Sequence, residues 1–394
     1  MKRTYKMISL MIALCMLFSL GTISGMAEAA SPIYNANDLF SSRDLKQAAD
    51  LSEAAAYTVT DGQDIHITAA GIYVLTGTAS NATVYVEAGK EDKVQLVLDN
   101  LNVTNSSFPV IYGKTADKLF VTTSGDSSLA VTGTFTADGE TKTNGVIFSK
   151  TDLTLNGTAS LTISSTENGI VSKDDLKITG GVYTVTAKSK AIDANDSIRI
   201  ADGTLNLTAG TDGLHAENND DAQKGYIYIG GGSVTIYAGD DGVHATSVVQ
   251  IDGGSLTIQA AEGIEGTYIQ LNDGTLSIQA TDDGINAGRK SSAYTPTVEI
   301  NNGDITVTMG AGDTDGIDSN GNIIVNGGTI RVTGSSTFDY DGAAQYNGGI
   351  IIANGQQVAS IPNQMMGGRG GFGGNGGWGN GGNGGWGRGG RGGW

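Results

Sequence analysis

The sequence predicts an all-β protein built as a parallel β-helix of about nine to ten coils. Two observations carry that prediction. The first is a phrase of three residues: an acidic or polar residue, a glycine, a branched aliphatic. It returns at Asn168-Gly169-Ile170, Asp212-Gly213-Leu214, Asp241-Gly242-Val243, Glu262-Gly263-Ile264, Asp283-Gly284-Ile285 and Asp315-Gly316-Ile317, with Lys190-Ala191-Ile192 filling the one gap. The second is strict alternation between the phrases, as in Val249-Gln250-Ile251-Asp252 and Gly254-Ser255-Leu256-Thr257-Ile258-Gln259-Ala260. Alternation places successive side chains on opposite faces of a strand. Three short strands and three turns in about 22 residues make one coil. A coil buries its aliphatics only by stacking on its neighbours, so the array is one cooperative unit. The segments are too short, and too rich in glycine and β-branched residues, for a run of helices.

In chain order, residues 1–29 have the pattern of a secretory signal peptide. Lys2, Arg3 and Lys6 precede an apolar core from Met7 to Leu20, and Ala27-Glu28-Ala29 offers small residues before a cut at Ala30. The single cysteine, Cys15, lies in that core without the small residues of a lipobox before it, so an exported mature chain has no thiol chemistry. Residues 30–56 form a polar, Ala-rich lead-in, expected to cover the open first coil as an N-terminal cap, with one short helix. The β-helix is expected over 57–362. Its early strands, such as Ile65-His66-Ile67, Val84-Tyr85-Val86 and Val94-Gln95-Leu96-Val97-Leu98, are less regular than the later ones. Residues 363–394 are a Gly-rich tail holding all three tryptophans, Trp378, Trp386 and Trp394. So little apolar mass cannot offset ordering entropy, so disorder is expected there, with the tail as a contact to the cell wall.

Charge narrows the partners. The chain carries −18; residues 1–29 hold a net +2, and the tail adds three arginines and no acid, which leaves −23 on residues 30–362. Such a polyanion does not seek nucleic acid or anionic membrane, and it attracts divalent cations. No second apolar run is long enough to span a membrane. The mature chain is read as a secreted or cell-surface monomer.

The chemistry gathers around the repeated glycine. If the aliphatic points inward, the residue before the glycine and the residue after the aliphatic both point out. This pairs Lys190 with Asp193, Asp212 with His215, Asp241 with His244, Glu262 with Glu265, Asp283 with Asn286, and Asp315 with Asp318, with Asp240, Asp282 and Asp313 close by. Equivalent positions in neighbouring coils lie about 4.8 Å apart. Like charges so close raise one another's pKa, and a column of them calls for cations. Carboxylates, amide oxygens and turn carbonyls without thiolates suit Ca²⁺. Asp-Gly is also an ordinary turn dipeptide. Glu262 is a poor turn former, however, and no turn rule asks for the acids at 193, 265 and 318, which favours a metal.

Two insertions, Glu217 to Lys224 and Gly288 to Pro296, follow the same strand of their coils. They are expected to project on one side as two walls of a cleft about 10–15 Å wide. Tyr268 and Tyr294 are the rings assigned to sugar stacking there, and Arg289 and Lys290 the bases assigned to an acidic glycan. Tyr228 and Tyr237 are further rings.

Several stretches carry a family resemblance: Val94-Gln95-Leu96-Val97-Leu98-Asp99-Asn100, Asp212-Gly213-Leu214-His215-Ala216-Glu217-Asn218, Ser291-Ser292-Ala293-Tyr294-Thr295-Pro296-Thr297, and Gly312-Asp313-Thr314-Asp315-Gly316-Ile317-Asp318-Ser319-Asn320. Here the chain resembles the carbohydrate-binding-domain family of secreted bacterial proteins. The resemblance implies a right-handed parallel β-helix akin to polysaccharide lyases, bound calcium, and binding of polygalacturonate and cellulose. Lys190-Ala191-Ile192 departs from the phrase and interrupts the acidic column. The reading is therefore a non-catalytic, Ca²⁺-dependent polysaccharide binder. A pectate-type lyase is the alternative, with Arg289, Lys290, Lys224 and Arg199 as the bases available. A structural or adhesive surface protein is the third reading.

Overall fold

The computed structural model describes residues 31–312 and 314–364. Within them the protein is all-β with parallel sheets. From Lys118–Thr123 on, each repeat lays down three strands in turn, and each strand pairs in parallel with the third strand after it; before that, Gly71–Ser80 and Lys93–Asn105 each serve as two strands in one. Asn168–Ser172 pairs with Ile192–Ala194, Asp175–Ile178 with Ser197–Ile200, and Val182–Ala187 with Thr204–Ala209. Three ladders result. One is a separate sheet of twelve strands, from Ile65–Ile67 to Ser336–Tyr340. The other two join in one sheet because the long strand Lys93–Asn105 runs through both. Twelve strands in the separate ladder mean twelve repeats, against the nine to ten expected. The early strands Ile65–Ile67, Val84–Glu87 and Ile111–Thr115 carry no glycine phrase to mark them.

The aliphatic of each phrase points into the core. Ile170, Ile192, Leu214, Val243, Ile264, Ile285 and Ile317 are fully buried and stand in register. Each buried aliphatic contributes about 1.5–3 kcal/mol, and a single continuous cluster joins them. The glycine beside them has a different role from the turn reading. In Asp241–Ala245, Glu262–Gly266, Asp283–Ala287 and Asp315–Ser319 the whole phrase lies inside a strand. A Cβ on Gly263 would sit 2.2 Å from the Gly284 carbonyl oxygen and 2.5 Å from Ile278 Cγ2. Close approach of neighbouring elements, not a turn, requires the glycine.

Residues 31–47 of the lead-in do not cap the first repeat. Residues 31–47 run as a strap along the outside of the ladder that contains Asp152–Gly157, Asp175–Ile178 and Tyr268–Leu271. Ile33 N donates to Gln270 Oε1 (3.1 Å), Tyr34 N to Gln250 Oε1 (2.7 Å), and Gln47 Nε2 to the Thr179 carbonyl (2.8 Å). Tyr34 stacks on Tyr226 with centroids 4.2 Å apart. The strap goes where outward groups such as Tyr228, Gln250 and Lys177 need a cover. Its helix is the four residues Ala36–Leu39. Only Ala55–Thr58 reaches the first edge, where it pairs with Gly71–Ser80. At the far end Gln356–Val358 pairs antiparallel with Ile350–Ala353. Among the described residues no helix is long and apolar enough to cross a membrane. The signal peptide read over 1–29, and the tail from residue 365 on, lie outside the described residues.

Candidate functional site

The outward side chains of the twelve-stranded sheet form two rows. One row holds Lys190, Asp212, Asp241, Glu262, Asp283 and Asp315. The other holds Asp193, His215, His244, Glu265, Asn286 and Asp318. The pairs read from the repeated phrase therefore come together as rows. The second row also extends past both ends of that reading. Asp339 follows Asp318, and towards the N-terminus the same position is filled by Val171, Phe148, Tyr112, Tyr85 and His66. Rings at one end of the row give way to carboxylates at the other. The central residues of Ile65-His66-Ile67 and Val84-Tyr85-Val86 signalled those rings. Without the glycine phrase, nothing tied them to the acidic row.

The acids differ in what neutralises them. Asp193 lies 3.0 Å from His215 Nδ1, 3.4 Å from Lys190 Nζ and 3.8 Å from Lys173 Nζ. Burial opposes its charge, but His215 and the two lysines outweigh burial and hold the carboxyl below its usual range. Asp212 is buried, accepts from Asp241 N (3.4 Å), and lies 3.8 Å from His215 Nε2. In the next repeats His244 Nδ1 is shared between Asp241 (2.5 Å) and Glu265 (2.8 Å), and Lys290 Nζ lies 2.6 Å from Glu265. Burial works against the imidazolium, yet the two carboxylates lift the His244 pKa to about 9. Burial likewise disfavours the Glu265 carboxylate, but His244 and Lys290 bring it down to about 2. Asp241 stays raised, because burial outweighs His244. These three are the group whose ligand atoms lie within 4.8 Å of one another.

Beyond Glu265 the compensation stops. Among the described residues no Lys, Arg or His forms an ion pair with Glu262, Asp283, Asp315 or Asp318. Burial, then the charges of Glu265 and Asp241, push Glu262 up to about 7. Burial, with Asp282 and Asp315, pushes Asp283 up to about 6. Burial, with Asp283, Asp315 and Asp339, pushes Asp318 up to about 7. Asn286 Nδ2 donates to Glu262 at 3.3 Å, while the buried oxygens Asn286 Oδ1, Asp315 Oδ1 and Asp339 Oδ1 have no hydrogen-bond partner. A buried acceptor without a donor is costly, and a cation bound beside one would supply the missing positive partner. The donors here are all oxygen, which fits a hard divalent ion. Asp240 and Asp282 are exposed beside the rows. Asp313 lies outside the described residues.

The residues assigned to sugar part company. Lys290 sits at the acidic rows and Arg289 beside it is exposed. Tyr268 donates to Glu299 Oε2 (2.6 Å), lies edge-on to Tyr294 (6.2 Å), and both rings pack, as Ile33 and Tyr34 of the strap do, against the buried cluster of Leu39, Tyr226, Tyr228 and Val248. The open cleft between the two insertions is not formed. Ser291 Oγ donates to the Ala222 carbonyl, so the loops meet. Only two repeats separate them, about 14 Å of strand spacing, which loops of eight or nine residues cross easily.

A family model described as "Carbohydrate-binding domain-containing protein" matches residues 61–267 and 261–360. The chain belongs to this family. A carbohydrate-binding domain-containing protein of Acetivibrio thermocellus is 35% identical over 130 residues, which are 32% of this chain and 46% of that one. The chain thus matches under half the length of that relative. A solved structure of a polysaccharide lyase-like protein from C. thermocellum, a gadolinium derivative, aligns at 25% identity and a TM-score of 0.46, over 74% of this chain and 100% of its own. The carbohydrate-binding-domain match takes in both outward rows whole, from His66 to Asp339.

Proposed function

We propose that this family member is an exported, non-catalytic polysaccharide-binding protein. It is folded as a right-handed parallel β-helix and holds Ca²⁺ on the C-terminal half of its acidic rows. The return of the chain to the same ladder at every third strand supports the β-helix. One observation carries the metal reading: Glu262, Asp283, Asp315 and Asp318 gather without a cationic partner, beside buried, unpartnered oxygens of Asn286, Asp315 and Asp339. These are the residues that would hold the ion. A bound divalent cation supplies the positive charge that lets a polyanionic face accept a uronate carboxylate. Polygalacturonate is the acidic glycan this favours, and Arg289 stands exposed at the edge to meet its charge. Lys290, a base a lyase could use, is held by Glu265 at 2.6 Å rather than standing open to a substrate. The leader, the monomeric state and a tail that contacts cell wall through its tryptophans belong to the same proposal.

Melting of the mature full chain with Ca²⁺ and with EGTA tests it, alongside Asp283→Asn/Asp318→Asn. Ca²⁺ raises the melting temperature of the wild type by mass action and leaves the variant unmoved. Polygalacturonate is then pulled down only with Ca²⁺, and absorbance from unsaturated product stays flat. Equal melting of the wild type with and without Ca²⁺ removes the metal, and a steady rise in absorbance makes the protein a lyase.

A further inference from the structure

A second face differs from the acidic rows in every chemical respect. It is the outer side of the ladder that runs through Val182–Ala187, Thr204–Ala209, Ser233–Ala238, Ser255–Ala260, Thr275–Ala280 and Asp304–Met309. Register aligns Thr186, Thr208, Tyr237, Gln259, Gln279 and Thr308 in one exposed row. The outward row two positions earlier, from Thr184 through Asn206 to Thr306, is likewise uncharged. On a chain of net charge −18, two uncharged rows side by side set this face apart.

The face is also shaped. A trough of about 630 Å³ runs along the exposed row, with Tyr237, Gln259, Gln279 and Thr308 on one side and the small corner residues Gly239 and Ala261 on the other. No charged side chain lines it. Tyr237 is 51% exposed, an aromatic surface left to solvent. Adjacent strands repeat the row about every 4.8 Å, a step comparable to one sugar of an extended chain. A polymer lying along the stack therefore meets a hydroxyl or amide at each strand and a ring at Tyr237. Asp240 and Asp282, exposed directly after Gly239 and Thr281, repel a uronate at the rim.

We propose that this trough binds a neutral, extended polysaccharide without a metal ion, the Tyr237 ring against a sugar face and the Gln259 and Gln279 amides on its hydroxyls. The proposal rests on the reading of the chain as a glycan binder, but not on the acidic rows or on Ca²⁺.

Native affinity electrophoresis of the mature full chain tests it, in EGTA and again in Ca²⁺, with hydroxyethylcellulose, galactomannan or polygalacturonate in the gel. At least one neutral polymer retards the wild type. Tyr237→Ala and Gln259→Ala/Gln279→Ala each weaken that binding roughly tenfold, and Tyr237→Phe keeps it. All three melt like the wild type and bind polygalacturonate with Ca²⁺ unchanged. The proposal is overturned if neither neutral polymer retards the wild type, or if Tyr237→Ala is retarded equally. Binding of polygalacturonate with Ca²⁺ alone leaves the acidic rows as the site and rejects the trough. Binding of a neutral polymer in EGTA alone does the reverse.

Discussion

Asp44→Asn is the most demanding test of how the strap is held. The Asp44 carboxylate is fully buried, 3.1 Å from Lys177 Nζ and 3.4 Å from Lys118 Nζ. It also accepts from Ser41 N (2.9 Å) and Thr154 Oγ1 (3.3 Å). Burial alone would raise its pKa, but these donors and charges bring it from 3.8 to about 2. At about 1.4 kcal/mol per pKa unit, the ionised carboxylate contributes roughly 2.5 kcal/mol. Loss of one partner of a buried ion pair costs about 3–5 kcal/mol in general. Burial first, then Lys118, already press the Lys177 ammonium below its ordinary value. Freed of Asp44 it can shed its proton, which keeps the loss near the lower figure. Because the folded pKa lies below the unfolded one, the contribution is complete above about pH 4 and fades as pH falls through about 2. Denaturant unfolding at pH 7 should show the variant less stable by about 2.5 kcal/mol, with hydrogen exchange faster at residues 31–47. The difference should close by pH 2. A loss under about 0.5 kcal/mol at pH 7, the range of an ordinary surface change, refutes the argument. So does a difference that persists at pH 2.

Four further outcomes follow from the packing. Gly263→Ala drives a Cβ into the Gly284 carbonyl and Ile278, so urea unfolding should show a loss of about 1–3 kcal/mol. Gly139→Ala, where nothing lies within 4 Å and φ is +57°, should cost no more than about 1–2 kcal/mol in the same assay. Gln250→Ala removes the amide that both accepts from Tyr34 N and donates to the Tyr34 carbonyl; exchange at residues 33–35 should rise about tenfold, the loss of roughly one to two hydrogen bonds, with the ladders unchanged. Phe148→Ala empties a fully buried site 5.7 Å from the Tyr112 ring, and thermal unfolding should report about 3–5 kcal/mol of destabilisation.

Much of this protein is written locally in its sequence. Alternation in Leu256-Thr257-Ile258 is enough to set Leu256 and Ile258 inward and Thr257 outward, because a strand's side-chain period is a property of its own backbone. A phrase recurring every 21 to 32 residues, the longer steps holding insertions, then stacks like on like, so the rows of Asp241, Glu262, Asp283 and Asp318 were legible. What each acid faces was not. Asp193 is neutralised by Lys173, and Glu265 by Lys290 from an insertion, while Glu262 and Asp318 gain no cation. Those outcomes turn on a few ångströms between groups some 20 residues or more apart, and Coulomb energy changes steeply over that range. Tertiary structure alone also decided that the lead-in runs along a side rather than over an end, and that the two insertions meet. Both depend on which buried polar groups elsewhere still need a partner: Gln250 and Gln270 for the strap, and the Ala222 carbonyl for Ser291. Repetition specifies the ladders; satisfaction of their leftover groups specifies what lies across them.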